Sequence, residues 1–282
     1  MYVVLRKIVK NFLTKLNLFI FVSLFKLIRD YLKSFKKPFV INSELHNSFK
    51  YIGNSNIKDD KYEVEVKELF LKLIQKTDNF INVGANYGFY CCLALSKGIK
   101  TSAFEPVYTN LRILYKNIKI NNFDENIEVF PLALSNKLEF KKIYGLSETA
   151  SLMKGWMQEN VSHEIVYCST MDHILNASNF KDKQTLILID VEGFEKKVVE
   201  GSLNFIKLKT KPFWIIEIIY DLYGVNNNDY NTIFDFFLDN DYFCYDIQSD
   251  LKQILREDLH KKKSSNFLFI DKEKIKLIDK SK

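Results

Sequence analysis

Short apolar runs alternate with amphipathic stretches along most of the chain, and this alternation predicts its fold. Residues 64–76 and 108–121 repeat their apolar positions at helical spacing, so we predict helices there. The apolar runs bounded by polar or glycine residues predict strands, at 79–83, 100–104, 127–132, 185–190, 213–219, 242–246 and 267–271. Strands that alternate with helices form a mostly parallel sheet with helices on both faces. The prediction is therefore an α/β fold with a doubly wound, mostly parallel seven-stranded sheet.

The first predicted strand runs directly into a glycine-punctuated loop, F-I-N-V-G-A-N-Y-G. Gly84 and Gly88 allow the backbone to turn tightly and to approach a bound cofactor closely. Glu105 ends the next strand, at about the separation where nucleotide-binding α/β folds place the acceptor for two ribose hydroxyls. The G-x-G-x-x-G pattern of dinucleotide sites is missing, because Ala85 and Asn86 follow Gly84. A cofactor with a ribose but no pyrophosphate, such as S-adenosylmethionine, fits this loop.

Five ordered segments make the chain resemble the FkbM family of class I methyltransferases. They read N-V-G-A-N-Y-G-F-Y, A-F-E-P, S-T-M-D-H-I-L, L-I-D-V-E-G-F-E-K-K-V-V-E-G and W-I-I-E-I. The resemblance covers residues 78–220 well and 266–271 more loosely, and it implies a Rossmann-like class I fold whose last two strands form an antiparallel hairpin. The predicted cofactor-binding residues are Asn82, Gly84, Ala85, Asn86, Gly88 and Glu105. The family usually has Asp at the position of Asn82, and an amide supplies no charge for the methionine ammonium.

Carboxylates that follow or interrupt the central strands are the candidates for chemistry on the acceptor. Asp190 ends a fully apolar strand, and Glu192 follows it in D-V-E-G. Beside a transferred methyl group, Asp190 can orient a hydroxyl, accept its proton or hold a divalent cation. The alternative is that Asp190 caps the next helix and Glu192 is structural.

Two further residues are candidate bases. Glu217 interrupts a buried strand, so it needs a partner or a raised pKa, and it is either a substrate-binding base or half of a structural pair. Residues 145–164 are irregular and predict a lid that faces the substrate. His163 lies in this lid and is the candidate histidine base, against the alternative of an inert exposed histidine.

The positive charge is concentrated in the N-terminal segment. Residues 1–40 contain nine Lys and Arg against Asp30, a net of +8, whereas the whole chain carries +6. The remainder is therefore near neutral, which argues against a nucleic-acid substrate. The apolar run 16–25 spans about half of a bilayer core as a helix. It predicts an interfacial helix on an anionic membrane surface, while a helix packed on the domain and a cleaved or spanning segment remain alternatives.

The predicted organisation is a helical N-terminal segment at 1–40, a polar linker at 41–60 and a methyltransferase domain at 61–282. The four cysteines lack the spacing of a disulfide framework or a zinc site, so we predict a reduced, cytoplasmic protein. The sequence indicates no metal site, and a divalent metal that assists catalysis remains an open alternative. The predicted location is cytoplasmic, with peripheral attachment at the inner membrane face through residues 1–40.

The predicted function is S-adenosylmethionine-dependent O-methylation of a sugar hydroxyl in a glycan, lipid-linked saccharide or related metabolite. The resemblance implies it, since similar proteins O-methylate natural products and surface-glycan sugars. One alternative is a scaffold that binds the cofactor without turnover, which Asn82 favours. Another is a methyltransferase acting on protein or nucleic acid. The missing N-P-P-Y motif argues against methylation of bases, and the incomplete glycine pattern argues against a NAD-linked oxidoreductase.

Overall fold

A computed structural model describes residues 39–43, 46–53, 57, 62–145, 150–153, 163–219, 221–222, 225–226, 230–255 and 264–278. They belong to one compact unit, Phe39–Lys282. The predicted N-terminal helix, within Met1–Pro38, lies outside the described residues.

The described part of the chain contains strands and helices in an alternating order. The strands are β1 (Phe39–Ser43), β2 (His46–Tyr51), β3 (Asn79–Val83), β4 (Lys100–Phe104), β5 (Ile127–Phe130), β6 (Ala133–Leu134), β7 (Glu139–Tyr144), β8 (His163–Ser169), β9 (Thr185–Ile189), β10 (Phe213–Ile219), β11 (Asp221–Leu222), β12 (Val225–Asn226), β13 (Tyr242–Asp246), β14 (Lys252–Gln253) and β15 (Ser264–Asp271). The α-helices are α1 (Val64–Ile74), α2 (Phe89–Leu95), α3 (Tyr108–Ile120), α4 (Met171–Ile174), α5 (Glu195–Glu200), α6 (Leu203–Ile206) and α7 (Tyr230–Leu238). Short 3-10 helices lie at Asp124–Asn126, Ala177–Phe180, Ile247–Ser249 and Lys272–Leu277.

The main sheet has eight strands in the order β14-β13-β15-β10-β9-β3-β4-β5. The five strands from β10 to β5 are parallel, and β15 is inserted antiparallel between β10 and β13. The predicted doubly wound α/β fold is thus confirmed. The strand count is one higher than predicted because the two-residue β14 pairs with the outer edge of β13.

Both faces of the sheet are buried, which explains why its central strands are continuous apolar runs. Along β10, Phe213 and Ile215 belong to the core cluster on one face, and Trp214 and Ile216 to the cluster on the other. Helices α1, α2 and α3 supply the first cluster, and α5, α6 and α7 the second. This layering brings the carboxyl ends of β3, β4, β9 and β10 to one edge, where ligands bind in such folds.

An N-terminal hairpin, β1 with β2, spans residues 39–51, which are the last two residues of the predicted helical segment 1–40 and about half of the predicted polar linker 41–60. Tyr51 is only 2% exposed and contacts the ring of Phe89. The Asn117 carboxamide completes the attachment: its Oδ1 accepts from the Ile52 amide at 2.7 Å, and its Nδ2 donates to the Ile52 carbonyl at 2.9 Å and the Tyr87 carbonyl at 2.8 Å. Residues 46–52 are therefore part of the α/β unit.

A small second sheet, ordered β6-β8-β7, stands beside the main one. The predicted lid, 145–164, is the connection between its antiparallel strands β7 and β8. Within that connection the structure describes residues 150–153, which return to β7 through two backbone hydrogen bonds between Tyr144 and Ser151.

Candidate active site

The loop after β3 has a backbone that only some residues can adopt. Gly84 and Gly88 have φ of 81° and 83°, and Asn86 has φ of 51°. A Cβ at Gly84 would lie 1.8 Å from the carbonyl oxygen of Asp190, so a side chain is excluded by contact as well as by conformation. The amides of Gly84 and Ala85 donate to the Phe104 carbonyl at 3.0 and 2.9 Å, which locks the loop onto β4.

Glu105, just after β4, organises this loop. Its Oε2 accepts from the Asn86 amide at 2.7 Å, and its Oε1 accepts from the Val107 amide at 2.8 Å and from Asn110 Nδ2 at 3.3 Å. Burial raises the pKa of the Glu105 carboxyl to about 7, although these hydrogen bonds act in the opposite direction. The sequence predicted a ribose acceptor; the structure adds that Glu105 ties together the loops after β3 and β4.

A cavity, which we call the Glu105 cavity, opens beside this carboxylate. Its walls are mostly apolar. Its lining is Val83, Gly84, Asn86, Phe104, Glu105, Pro106, Val107, Asn110, Leu132, Ala133, Leu134, Ile143, Ala150, Leu152, Asp190, Val191, Glu192 and Phe194. The walls come from the β3, β4 and β9 loops and from the second sheet.

A second cavity, which we call the Glu217 cavity, is also lined by this loop. It is lined by Tyr51, Ile57, Tyr62, Glu63, Asn82, Gly84, Ala85, Asn86, Tyr87, Phe89, Tyr90, Leu188, Asp190, Glu192 and Glu217. Gly84, Asn86, Asp190 and Glu192 line both cavities. The two spaces therefore meet at the carboxyl ends of β3 and β9.

Asp190 and Glu217 form a carboxyl pair in the Glu217 cavity. Ile189 on β9 pairs with Ile216 on β10, so the next residue of each strand faces its neighbour. Burial first, and then the charges of Glu217 and Glu192, raise the pKa of Asp190 well above its usual range. Burial also raises the pKa of Glu217, while its hydrogen bond with Asp190 lowers it. Both shifts favour a protonated pair, in which one of the two carboxyl groups donates a hydrogen bond to the other.

The D-V-E-G turn after β9 borders both cavities, since Asp190 and Glu192 line each of them. Glu192 and Gly193 have φ of 54° and 95°, and the Glu192 carbonyl accepts a hydrogen bond from Ser151 Oγ at 2.6 Å. The described part of the predicted lid is thereby fixed to the turn. Leu152 and Ala150 form part of the wall of the Glu105 cavity.

Glu195 is a buried carboxyl that the sequence did not single out as part of the site. One oxygen accepts from the Gly193 amide at 2.8 Å, and the other has no partner among the described residues. Burial raises the pKa of Glu195 to about 8. In a helix with lysines at the next two positions, Glu195 resembles a surface ion-pair residue in sequence, and only the packing reveals its burial.

Two asparagines of the loop have buried oxygens with no hydrogen-bond partner among the described residues. Asn82 Nδ2 contacts Cys91 Sγ at 3.4 Å, but Asn82 Oδ1 is unpaired and the residue lines the Glu217 cavity. Asn86 Oδ1 is also buried and unpaired, at the junction of the cavities. Buried polar atoms are normally satisfied, so both oxygens are candidate contacts for a ligand.

The structure brings together most of the predicted site residues. Asp190, Glu192 and Glu217 line the Glu217 cavity, whereas His163 is exposed at the start of β8, opposite Tyr144. His163 is absent from the described lining of both cavities, and its role stays a prediction. Over the described ranges, no group of three or more His, Cys, Asp or Glu is placed to hold a metal ion.

The family profile described as "Methyltransferase FkbM domain" matches residues 82–244, more than half of the chain. The chain belongs to the FkbM methyltransferase family. The resemblance drawn from the five sequence segments is thereby confirmed. Within this FkbM family member, the matched region includes every predicted cofactor-binding and catalytic residue. Tyr51, Ile57, Tyr62 and Glu63 of the Glu217 cavity precede it.

Solved structures similar to this FkbM protein include a methyltransferase FkbM from Methylobacillus flagellatus, with 17% sequence identity and a TM-score of 0.45. That alignment covers 69% of this chain and 44% of the other, so the chain spans less than half of the length of that relative. An O-methyltransferase family protein from Burkholderia thailandensis has 11% identity and a TM-score of 0.39, over 77% of this chain and 58% of the other. Fibrillarin from Aeropyrum pernix, in complex with S-adenosyl-L-methionine, has 11% identity and a TM-score of 0.36, over 70% of this chain and 68% of the fibrillarin chain. No curated protein sequence matches the chain.

Proposed function

We propose that this FkbM family member is an S-adenosylmethionine-dependent O-methyltransferase that acts on a sugar hydroxyl in a glycan, lipid-linked saccharide or related metabolite. One observation carries the proposal: an apolar cavity beside Glu105 and a carboxylate-lined cavity meet at the glycine loop after β3. A donor and an acceptor that occupy adjoining cavities can react at their junction.

The residues of the site fit S-adenosylmethionine. The mostly apolar walls of the Glu105 cavity suit an adenine ring. Glu105 Oε2 accepts from the Asn86 amide alone among the described residues, so it has a second lone pair for a ribose hydroxyl. The unpaired Oδ1 atoms of Asn82 and Asn86 supply acceptors near the junction. Asn82 would accept a hydrogen bond from the methionine ammonium, without the charge of the usual Asp.

The bound cofactor supplies an electrophilic methyl group, which passes to a nucleophile by in-line displacement. The chain contributes positioning and a base for the proton of the acceptor hydroxyl. Glu217 lines the acceptor cavity and is absent from the described lining of the Glu105 cavity, whereas Asp190 lines both, so we assign Glu217 as this base. Asp190 holds it by a hydrogen bond. A raised pKa makes Glu217 a better proton acceptor at neutral pH than an exposed glutamate.

Calorimetric titration tests the cofactor assignment. We expect micromolar binding of S-adenosylmethionine and no binding of NAD. Glu105→Ala should weaken S-adenosylmethionine binding by about tenfold or more, because both an acceptor and the loop contacts are lost. Glu125→Ala, on an exposed turn after α3, is the matched control. Unchanged affinity in the folded Glu105 variant would remove Glu105 from the cofactor site. Binding without turnover on any glycan would favour the scaffold function.

We further propose that residues 1–40 attach the protein to an anionic membrane surface, which would place it near lipid-linked acceptors. The support is their net charge of +8 beside a strongly apolar run. In the described part of the chain, no helix is long and apolar enough to cross a bilayer.

Liposome sedimentation tests this attachment. A variant that lacks residues 1–38 retains all of β1, which begins at Phe39, and should stay in the supernatant with anionic vesicles. The full chain should sediment with them and be released by high salt. Equal sedimentation of both proteins would contradict the proposal.

A further inference from the structure

We infer that Glu63 and Tyr62 form an acceptor-recognition wall that selects a neutral, hydroxyl-rich saccharide and rejects anionic ones. The inference rests on the proposed methyl transfer, since it treats the Glu217 cavity as the acceptor site. It assigns the specificity to a segment that precedes the matched family region.

The wall belongs to the N-terminal part of the compact unit. Tyr51, Ile57, Tyr62 and Glu63 line the Glu217 cavity and contribute nothing to the described lining of the Glu105 cavity. The segment is held on the domain by aromatic contacts, with the Phe89 ring centroid 5.8 Å from that of Tyr51 and 5.9 Å from that of Tyr62. The cofactor side is thus built by the matched region alone, and the acceptor side by that region plus this wall.

Glu63 is held in an unusual conformation that directs it to the cavity. It precedes helix α1 with φ of 42°, a left-handed backbone that is uncommon for a residue other than glycine. Its side chain makes no capping hydrogen bond to the helix that it precedes. Instead Oε2 accepts from the Tyr90 hydroxyl at 2.7 Å. Such strain persists where the surrounding structure fixes it, and it is commonest at functional sites.

The charge of the cavity decides which saccharide fits. Four carboxyl residues line it: Glu63, Asp190, Glu192 and Glu217. The described lining contains no lysine, arginine or histidine. A phosphate, sulfate or uronate would meet like charge in a partly desolvated space, whereas sugar hydroxyls donate hydrogen bonds to carboxylates. The rings of Tyr62 and Phe89 offer an apolar surface for the C–H face of a sugar.

A glycan array tests the inference. The full chain, saturated with S-adenosylhomocysteine, is applied to the array and its binding to each glycan is measured. We expect binding to neutral glycans and at least about tenfold weaker binding to their uronate- or sulfate-bearing counterparts. Glu63→Lys should reverse this preference, and Glu63→Gln should weaken binding of neutral glycans while reducing the discrimination. Glu65→Lys is the matched control, because Glu65 is exposed on the first turn of α1 and lines neither cavity.

Each outcome is separable from a failure of the proposed function. Absence of S-adenosylhomocysteine binding would overturn the methyltransferase proposal itself. Retained binding with a preference for anionic glycans, or with no neutral glycan bound, would overturn the acceptor inference alone. The acceptor inference would also be overturned if Glu63→Lys keeps its affinity for S-adenosylhomocysteine and binds the same glycans as the wild-type protein. A Glu63→Asn variant, which tolerates the left-handed backbone, should lose neutral-glycan binding even if Glu63→Lys does not fold.

Discussion

The Glu105 and Glu217 cavities share the loop after β3 but are built on opposite physical principles. The Glu105 cavity has mostly apolar walls, and Glu105, the carboxyl residue that it does not share with the other cavity, is held by two backbone amides. The Glu217 cavity gathers four carboxyl residues and several aromatic rings. One space is preorganised for a ligand of fixed shape, while the other is organised by charge and proton sharing. Such a division would suit an enzyme family in which every member uses the same methyl donor while the acceptor molecule differs from one member to the next.

We expect the largest effect from Glu217→Gln, which should impair the Glu217 cavity and leave the Glu105 cavity intact. Loss of a general base typically lowers kcat by about 10²–10⁴-fold, and the Glu105 cavity should keep its affinity for S-adenosylhomocysteine. Asp190→Asn is the partner variant, because an amide at position 190 can still donate a hydrogen bond to Glu217. We expect a smaller loss of kcat there. The reverse order of severity, measured with one glycan acceptor, would move the base role to Asp190.

The pH dependence of the same variants follows from the raised pKa of Glu217. The base must be ionised, so kcat/KM should fall as the pH drops through that pKa. In Asp190→Asn a neutral donor stabilises the Glu217 carboxylate and removes the competing titration. The acid limb of its pH profile should therefore move to lower pH.

A substitution at the shared loop should damage both cavities at once. Gly84→Ala adds a Cβ 1.8 Å from the Asp190 carbonyl oxygen, at a φ of 81°. We expect a loss of about 2–4 kcal/mol in the free energy of unfolding and loss of S-adenosylmethionine binding. Gly98→Ala is the control, since Gly98 has φ of 75° and a Cβ there would meet no described atom within 4 Å beyond its chain neighbours. It should lose only about 1 kcal/mol, from conformation alone. Equal losses in chemical denaturation would mean that the contact with Asp190 is relieved by movement.

The smallest effect concerns Glu195 beneath the turn between the cavities. Its pKa of about 8 lies above the value in the unfolded chain, so the folded state holds a proton that the unfolded state releases. Stability should therefore fall as pH rises from about 5 towards 8, through ionisation of this group and of Glu105. Glu195→Gln should flatten this decline and stabilise the protein by about 1 kcal/mol above pH 8. Melting curves at pH 6 and pH 9 measure the stability difference between Glu195→Gln and the wild-type protein. A variant that is less stable than the wild-type protein at both pH values would contradict this prediction.

The strands that a sequence reveals are those buried on both faces. The predicted ranges of β3, β4, β10 and β13 agree with the structure. The signal is strongest in β3 and β10, which are mostly apolar and buried, and weaker in β4, whose first residue, Lys100, is exposed. Strands β7 and β8 were not predicted, because several of their apolar residues are exposed and the apolar pattern there does not follow burial. Phe140 on β7 is 74% exposed, and Ile165 on β8 is 69% exposed.

The same limit applies to the site. The motif residues of the β3 loop and of D-V-E-G could be found from local sequence, because backbone geometry dictates glycine and short polar side chains there. The pairing of Asp190 with Glu217 depends on the register of β9 against β10, which no local pattern contains. Glu63 precedes an ordinary amphipathic helix, and its position in the cavity follows from the packing of Tyr62 and Tyr90 around it.

The carboxamide of Asn117 has a consequence for how the protein opens. It is fully buried and bonds at once to Ile52, next to the N-terminal hairpin, and to Tyr87 in the cofactor loop. Detaching the hairpin would break two of these three hydrogen bonds and leave a buried amide unsatisfied, so hairpin and loop should open as one cooperative unit. A ligand that protects the loop amides from hydrogen exchange would then protect the Ile52 amide equally. By reciprocity, a substitution that weakens the packing of the hairpin on the α/β unit should weaken the binding of a ligand that contacts the loop.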